Sequence, residues 1–321
     1  MITPIFIFSL PRSGSTLLQR IIASHSEVAT KEEPWLLLPL FGVYGSLGTY
    51  AEYNYAIASQ AITKFSNNLP NGIQSYYAST KDFACSLYEK CAKGEKYFLD
   101  KTPRYHVISK EIIRTFDNGK FIFLIRHPLA VYASVIKTWK NSHVFDYDLY
   151  LGFDKIFQTL KSSGAAVHLV KYEELISSPE DVVQLICEYL EIDFQIDMLK
   201  NFSQIKFSED AMGNPNPEQT KRKEIYINSR DKWKTFLCEN IIRKRLAISY
   251  LKYIGADRMK TLEYDYLDAK SNLEEGKVGF QNVHIDILNI VRRFISVGLE
   301  SPMLKHRLLA LLKRQRYYVH R

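Results

Sequence analysis

Apolar residues along this chain take two forms that alternate: short unbroken runs, and stretches where they recur every three or four positions. Ile5, Phe6, Ile7 and Phe8 are apolar without interruption, which suits a parallel strand covered on both faces. Helical spacing starts at about Thr16, with Leu17, Leu18, Ile21 and Ile22 on one side. Val28 and Ala29 predict a short second strand. Residues 96–100 predict a third, followed by a helix with Thr102 as N-cap and Pro103 in its first position, stopped near Asp117, Asn118 and Gly119. Residues 120–125 form another apolar run, and Pro128 opens a helix carrying Ala133, Ser134 and Ile136. Helical spacing over 147–161, a turn at Gly164, a strand over 165–172 and a helix after Ser178 and Pro179 complete the alternation. Such a pattern predicts an α/β fold with a P-loop-like central parallel sheet flanked by helices on both faces.

Other stretches interrupt that rhythm. Residues 41–95 form a long excursion, rich in Tyr and Gly over 41–80, a cover for the sheet or a lid that grips substrate. Residues 208–224 are polar and include Lys221, Arg222 and Lys223, as expected of a loop. Beyond Trp233 the pattern is helical to about Tyr253 and loosens between Asp268 and Gly279 into an expected linker. The predicted division is an α/β domain over 1–255 and a helical, basic extension over 256–321. In that extension Leu304, Leu308, Leu311 and Leu312 recur at helical spacing among basic residues. A helix of this kind docks on its own domain, joins a homo-oligomer, or makes peripheral contact with an anionic membrane.

Composition narrows the function classes. The first strand begins almost at Met1, and no apolar run reaches the roughly 18 residues of a membrane span, so the expectation is a soluble, cytoplasmic protein. The four cysteines, far apart except for the C-x5-C pair Cys85 and Cys91, fit neither a zinc knuckle nor a redox pair, and the eight histidines do not cluster; no metal is implied. The net charge of +8 owes much to residues 301–321, which hold six Lys or Arg and no acid. Nucleic-acid motifs are absent, so nucleic acid is not an expected partner.

The chemistry concentrates where strands hand over to helices. Ser13, Gly14, Ser15 and Thr16 have short side chains, so their backbone N–H groups can converge on an anion at a helix N-terminus, and Arg12 adds a forked cation. The lysine of a Walker A loop is missing, which disfavours a nucleotide kinase. Lys101 and Arg126 stand at the carboxyl ends of two further strands, and Glu32 and Glu33 follow the short second one, facing the cleft of a parallel sheet.

Residues 11–18, Pro-Arg-Ser-Gly-Ser-Thr-Leu-Leu, resemble the 5′-phosphosulfate-binding loop of the sulfotransferase family, whose donor is 3′-phosphoadenosine 5′-phosphosulfate. Residues 121–134 resemble that family's 3′-phosphate segment, in which an Arg and a Ser eight residues later bind the phosphate; here these are Arg126 and Ser134. Residues 25–33 resemble the path to a catalytic glutamate in the tyrosylprotein and bacterial carbohydrate branch, the match falling on Glu33. Lys101 matches that branch's lysine on the leaving side, and Tyr172 opens a Tyr-Glu-x-Leu segment near the nucleotide. The resemblance implies transfer of a sulfuryl group to an acceptor hydroxyl of a glycan, lipid or other small molecule, without a metal. Glu33, Lys101 and Arg12 would be the catalytic residues. Arg12, Ser13, Gly14, Ser15, Thr16, Arg126, Ser134 and Tyr172 would bind the donor and its product, adenosine 3′,5′-bisphosphate. The late Arg-Lys-Gly run of cytosolic small-molecule sulfotransferases is absent; Arg222, Lys223 or Ser229 are candidates to replace it. Two other readings stay open: a divergent P-loop kinase, and an inactive nucleotide-binding module held at a membrane or partner by the basic tail.

Overall fold

The computed structural model describes residues 2–42, 55–139, 148–163, 167–205, 207, 225 and 230–299. The polar loop at 208–224, Ser229 and the basic segment 301–321 lie outside them, as does part of the Tyr- and Gly-rich excursion. The elements run β1 (Thr3–Phe8), α1 (Ser15–Ala23), β2 (Val28–Thr30), α2 (Leu37–Gly42), α3 (Tyr55–Asn67), α4 (Ile73–Cys91) and β3 (Tyr97–Asp100). A 3₁₀ turn (Tyr105–Ile108) leads into α5 (Ser109–Thr115), then β4 (Lys120–Ile125), α6 (Pro128–Trp139), a π turn (Asp148–Gly152), α7 (Phe153–Ser163) and β5 (Val167–Lys171). The remaining helices are α8 (Tyr172–Ser177), α9 (Pro179–Leu190), α10 (Asp197–Asn201), α11 (Lys232–Cys238), α12 (Ile241–Ile254), α13 (Ala256–Thr261), α14 (Tyr266–Glu275) and α15 (Val283–Leu299).

The five strands form one parallel sheet in the order β2-β3-β1-β4-β5. Alternation within each apolar run sorts the two faces by shape. Ile5, Ile7, Leu99, Ile122 and Leu124 lie on an aliphatic face packed with Leu18, Ile21 and Ile22 of α1 and with α8 and α9. Phe6, Phe8, Phe98, Phe121 and Phe123 form an aromatic face against α4, α5 and α6. Register pairs these rings across strands: Phe6 is stacked opposite Phe121 and Phe8 tilted against Phe123, with ring centroids 6.0 Å and 4.9 Å apart. Since β1 is central, the turn after it lies between those after β3 and β4, and the crevice at the carboxyl ends of such a sheet is where ligands collect.

Two local expectations give way to tertiary partners. Residues 266–275 are helix rather than linker, because Asp265 caps them by accepting from the N–H groups of Leu267 and Asp268. Ala269 and Leu273 of that helix are buried in the same cluster as Trp233 and Leu251. Thr102 is not an N-cap: its hydroxyl turns back to Asp100, and the chain passes through the 3₁₀ turn before α5 begins. Helix α15 is anchored by Asp286, which accepts from Asn240 Nδ2 at 2.6 Å and from Arg243 Nε at 3.0 Å.

Candidate active site

The turn after β1 is shaped by two residues of positive φ, Arg12 at 70° and Gly14 at 99°. The first is strained for a residue with a side chain, of order 1 kcal/mol, while glycine tolerates the second. Ser13 is buried, and its N–H closes the turn on the carbonyl of Leu10 at 3.3 Å. The carbonyl of Gly14 accepts from Leu17 and Leu18, so the chain enters α1 there. The N–H groups of Ser15 and Thr16 open the helix without an intrahelical acceptor, which leaves them for a ligand.

The same turn gathers residues from three other elements. Arg12 Nε lies 3.4 Å from Ser134 Oγ on α6, a contact spanning 122 positions. Arg126, just past β4, donates from Nη1 to the Arg12 carbonyl at 3.0 Å, and its guanidinium lies 4.4 Å from the ring centre of Tyr172. The Tyr172 ring is buried against Gly14, where a Cβ would come within 2.5 Å of it. Arg12, Gly14, Arg126, Ser134 and Tyr172 therefore form one cluster, with Tyr172 as the plate between the glycine turn and Arg126.

Residues not flagged by their sequence pattern brace this cluster. Glu173 accepts from the His127 N–H at 3.0 Å and from the Tyr264 hydroxyl at 2.8 Å, tying the turn after β4 to the end of β5. The His127 ring stacks on Trp233 at 4.8 Å, and burial pushes it down to about 4, so it is neutral at physiological pH. Glu173 is the glutamate of the Tyr-Glu-x-Leu segment, in which the resemblance pointed to Tyr172 and assigned no role to the acid.

Across β3 lies an acid and a base. Lys101 Nζ is 2.5 Å from Glu33 Oε1, with side chains only 4% and 11% exposed. Burial lowers the Lys101 ammonium from its ordinary range, opposed by the charge of Glu33 and then by Asp100. The second carboxylate oxygen of Glu33 is buried and has no hydrogen-bond partner among the described residues, and neither has the indole nitrogen of Trp35. Gln19 of α1 holds the carbonyl of Lys31 at 2.9 Å just before Glu33.

Beside Lys101, Asp100 is completely buried and accepts from Tyr88 at 2.6 Å, Tyr105 at 2.9 Å and Thr102 at 3.1 Å. Burial pushes its carboxyl up from 3.8 to about 6, with the three hydroxyls and Lys101 pulling the other way. The folded state thus holds this proton more tightly than the unfolded chain. The contribution to stability is fully present below about pH 4 and lost as pH rises through about 6, a difference of about 3 kcal/mol. Asp100→Asn is expected to remove that component, which urea unfolding between about pH 4 and 7 would read as a flatter stability profile. An unchanged profile would show that Asp100 does not titrate in this range.

The profile of the sulfotransferase family matches residues 4–196, more than half of the chain. The chain belongs to the sulfotransferase family. The nodulation protein NoeE of Sinorhizobium fredii is 23% identical over 289 residues, 81% of this chain and 65% of that protein. The chain thus spans just under two thirds of that relative's length. A putative protein-tyrosine sulfotransferase of Caenorhabditis briggsae is 24% identical over 265 residues, covering 79% of this chain and 89% of that one. Among solved structures, the sulfotransferase domain from the curacin biosynthetic pathway aligns with a TM-score of 0.53 and 23% identity, covering 83% of this chain and 99% of that domain. That likeness establishes the fold. Among the described residues no helix is long and apolar enough to cross a membrane, and no group of three or more His, Cys, Asp or Glu is placed to hold a metal.

Proposed function

We propose that the chain moves a sulfuryl group from 3′-phosphoadenosine 5′-phosphosulfate to an acceptor hydroxyl by in-line displacement. The observation that carries this reading is the buried contact between Glu33 and Lys101, 2.5 Å long, at the carboxyl edge of the sheet. A base and a cation are held together there, next to a strand-to-helix turn suited to anions. The acceptor O–H gives its proton to Glu33 as its oxygen forms a bond to sulfur. The bond from sulfur to the bridging oxygen breaks, and the charge left on the 5′-phosphate meets Lys101, Arg12 and the N–H groups of Gly14, Ser15 and Thr16. Arg126 and Ser134 bind the 3′-phosphate, which distinguishes this donor from ATP. Positioning and charge supply the catalysis, as in phosphoryl transfer. Cys85, Cys91, Cys187 and Cys238 are all unpaired, which suits a reducing cytoplasm.

The test is isotopically labelled donor incubated with separate glycan, lipid and peptide pools, with the sulfated product identified by mass. Transfer into one pool is expected. Tight binding of adenosine 3′,5′-bisphosphate without transfer into any pool would favour a nucleotide-binding module. Preference for ATP over adenosine 3′,5′-bisphosphate in a titration would favour a kinase.

Gly14 provides a second check. An alanine there meets both the positive φ and the Tyr172 ring 2.5 Å away, so either the turn or the ring must shift. Gly14→Ala is expected to weaken binding of adenosine 3′,5′-bisphosphate by about tenfold or more, since one misplaced charged hydrogen bond costs that much. Wild-type affinity in a calorimetric titration would rule the turn out as the phosphate site.

A further inference from the structure

The segment that carries Glu33 has little regular structure of its own, yet it is held against Lys101. Trp35, two residues on, has a φ of 54°, a left-handed conformation that a bulky residue adopts only when its surroundings impose it. Two backbone N–H groups supply the restraint. That of Trp35 donates to Thr102 Oγ1 at 3.2 Å, and that of Leu37, the first residue of α2, donates to the Tyr105 hydroxyl at 3.2 Å. Each of these hydroxyls donates its own proton to Asp100, Thr102 to Oδ1 and Tyr105 to Oδ2.

We propose that Asp100 is a positioning residue that sets the placement of Glu33 relative to Lys101, acting through Thr102 and Tyr105. The proposal rests on reading Glu33 as the base. A carboxylate only accepts hydrogen bonds, so it fixes the direction of both hydroxyl protons and leaves their lone pairs to the two backbone N–H groups. Asp100 precedes Lys101 in the chain, and the same short stretch therefore presents the cation and clamps the segment bearing its partner. In Asp100→Asn one accepting oxygen becomes an NH₂ donor. At least one hydroxyl proton then loses its acceptor, and the clamp loses its single orientation. Tyr88 also donates to Asp100, but neither clamped N–H is bonded to it, so it serves as a control.

The experiment compares Asp100→Asn, Thr102→Val, Tyr105→Phe, Thr102→Ser and Tyr88→Phe, using amide hydrogen exchange, calorimetric titration with adenosine 3′,5′-bisphosphate, and transfer of label from saturating donor into the pool that wild type sulfates. Thr102→Val is expected to speed exchange at Trp35, and Tyr105→Phe at Leu37, by about tenfold or more. Both, with Asp100→Asn, should lower the transfer rate by up to roughly 10²-fold, the scale expected when a reacting group is misplaced by about 1 Å. Nucleotide affinity should hold, Thr102→Ser should restore both exchange and rate, and Tyr88→Phe should change neither.

If Asp100→Asn does not fold, the Thr102 and Tyr105 variants decide the matter. Unchanged exchange at Trp35 and Leu37 in folded Thr102→Val and Tyr105→Phe would overturn the clamp. Faster exchange with an unaltered transfer rate would overturn its role in positioning Glu33. A wild-type protein that transfers no label would instead reject the functional reading, an outcome separate from the exchange result.

Discussion

Glu33→Gln is expected to lower sulfuryl transfer by roughly 10²- to 10⁴-fold, the range for losing a general base, while affinity for adenosine 3′,5′-bisphosphate stays near wild type. Gln is nearly isosteric and its amide oxygen can still accept from Lys101, so the segment keeps its shape. What disappears is the negative charge that takes the acceptor's proton in the proposed mechanism. The substitution also acts on Lys101. Burial already lowers that ammonium, and Glu33 is the largest charge opposing the shift, so its removal moves Lys101 further toward the neutral amine and weakens stabilisation of the leaving oxygen. Both losses fall on the chemical step, and single-turnover rates at saturating donor would report them. Full transfer by Glu33→Gln with normal donor binding would mean that the base lies elsewhere.

The second large effect is expected at the opposite end of the donor. Arg126→Ala should weaken donor affinity by about 1.5 to 3 kcal/mol, the worth of a charge-assisted hydrogen bond. Two contributions combine in this variant. The guanidinium is lost as the proposed partner for the 3′-phosphate, and the Arg12 carbonyl loses the Nη1 donor that steadies the glycine turn. Fold stability should change less, because Arg126 lies at the mouth of the sheet, whereas Phe121 to Leu124 just before it are buried. Calorimetric titration of adenosine 3′,5′-bisphosphate beside urea unfolding separates the two quantities. Equal affinity in wild type and variant would remove Arg126 from the donor site.

Much of this was legible in the chain. The unbroken apolar runs at β1 and β4 predicted buried parallel strands, because a strand covered on both faces needs no polar alternation. The glycine turn was visible because the small residues at 13–16 sit where a strand must become a helix. Lys101, Arg126 and Glu33 stood out as charges just beyond apolar strands or, for Glu33, beyond a short one. The segments over 208–224 and 301–321 lie outside the described residues.

The sequence alone determined the five strands, most of the helices and where the charged residues sit relative to the strand ends, since those properties depend on neighbours within a few residues. Tertiary structure decided which ends meet. Lys101 finds Glu33 across 68 positions and Arg12 finds Ser134 across 122, distances bridged by strand order, which no local periodicity encodes. It also reassigned hydroxyls that local rules had placed elsewhere. Thr102 has the sequence of a helix cap, but its hydroxyl donates to the buried carboxylate of Asp100 and its oxygen accepts from the Trp35 N–H, so the acceptor a cap would offer to a helix N–H is used by a segment 67 positions away, and the buried charge keeps its donor.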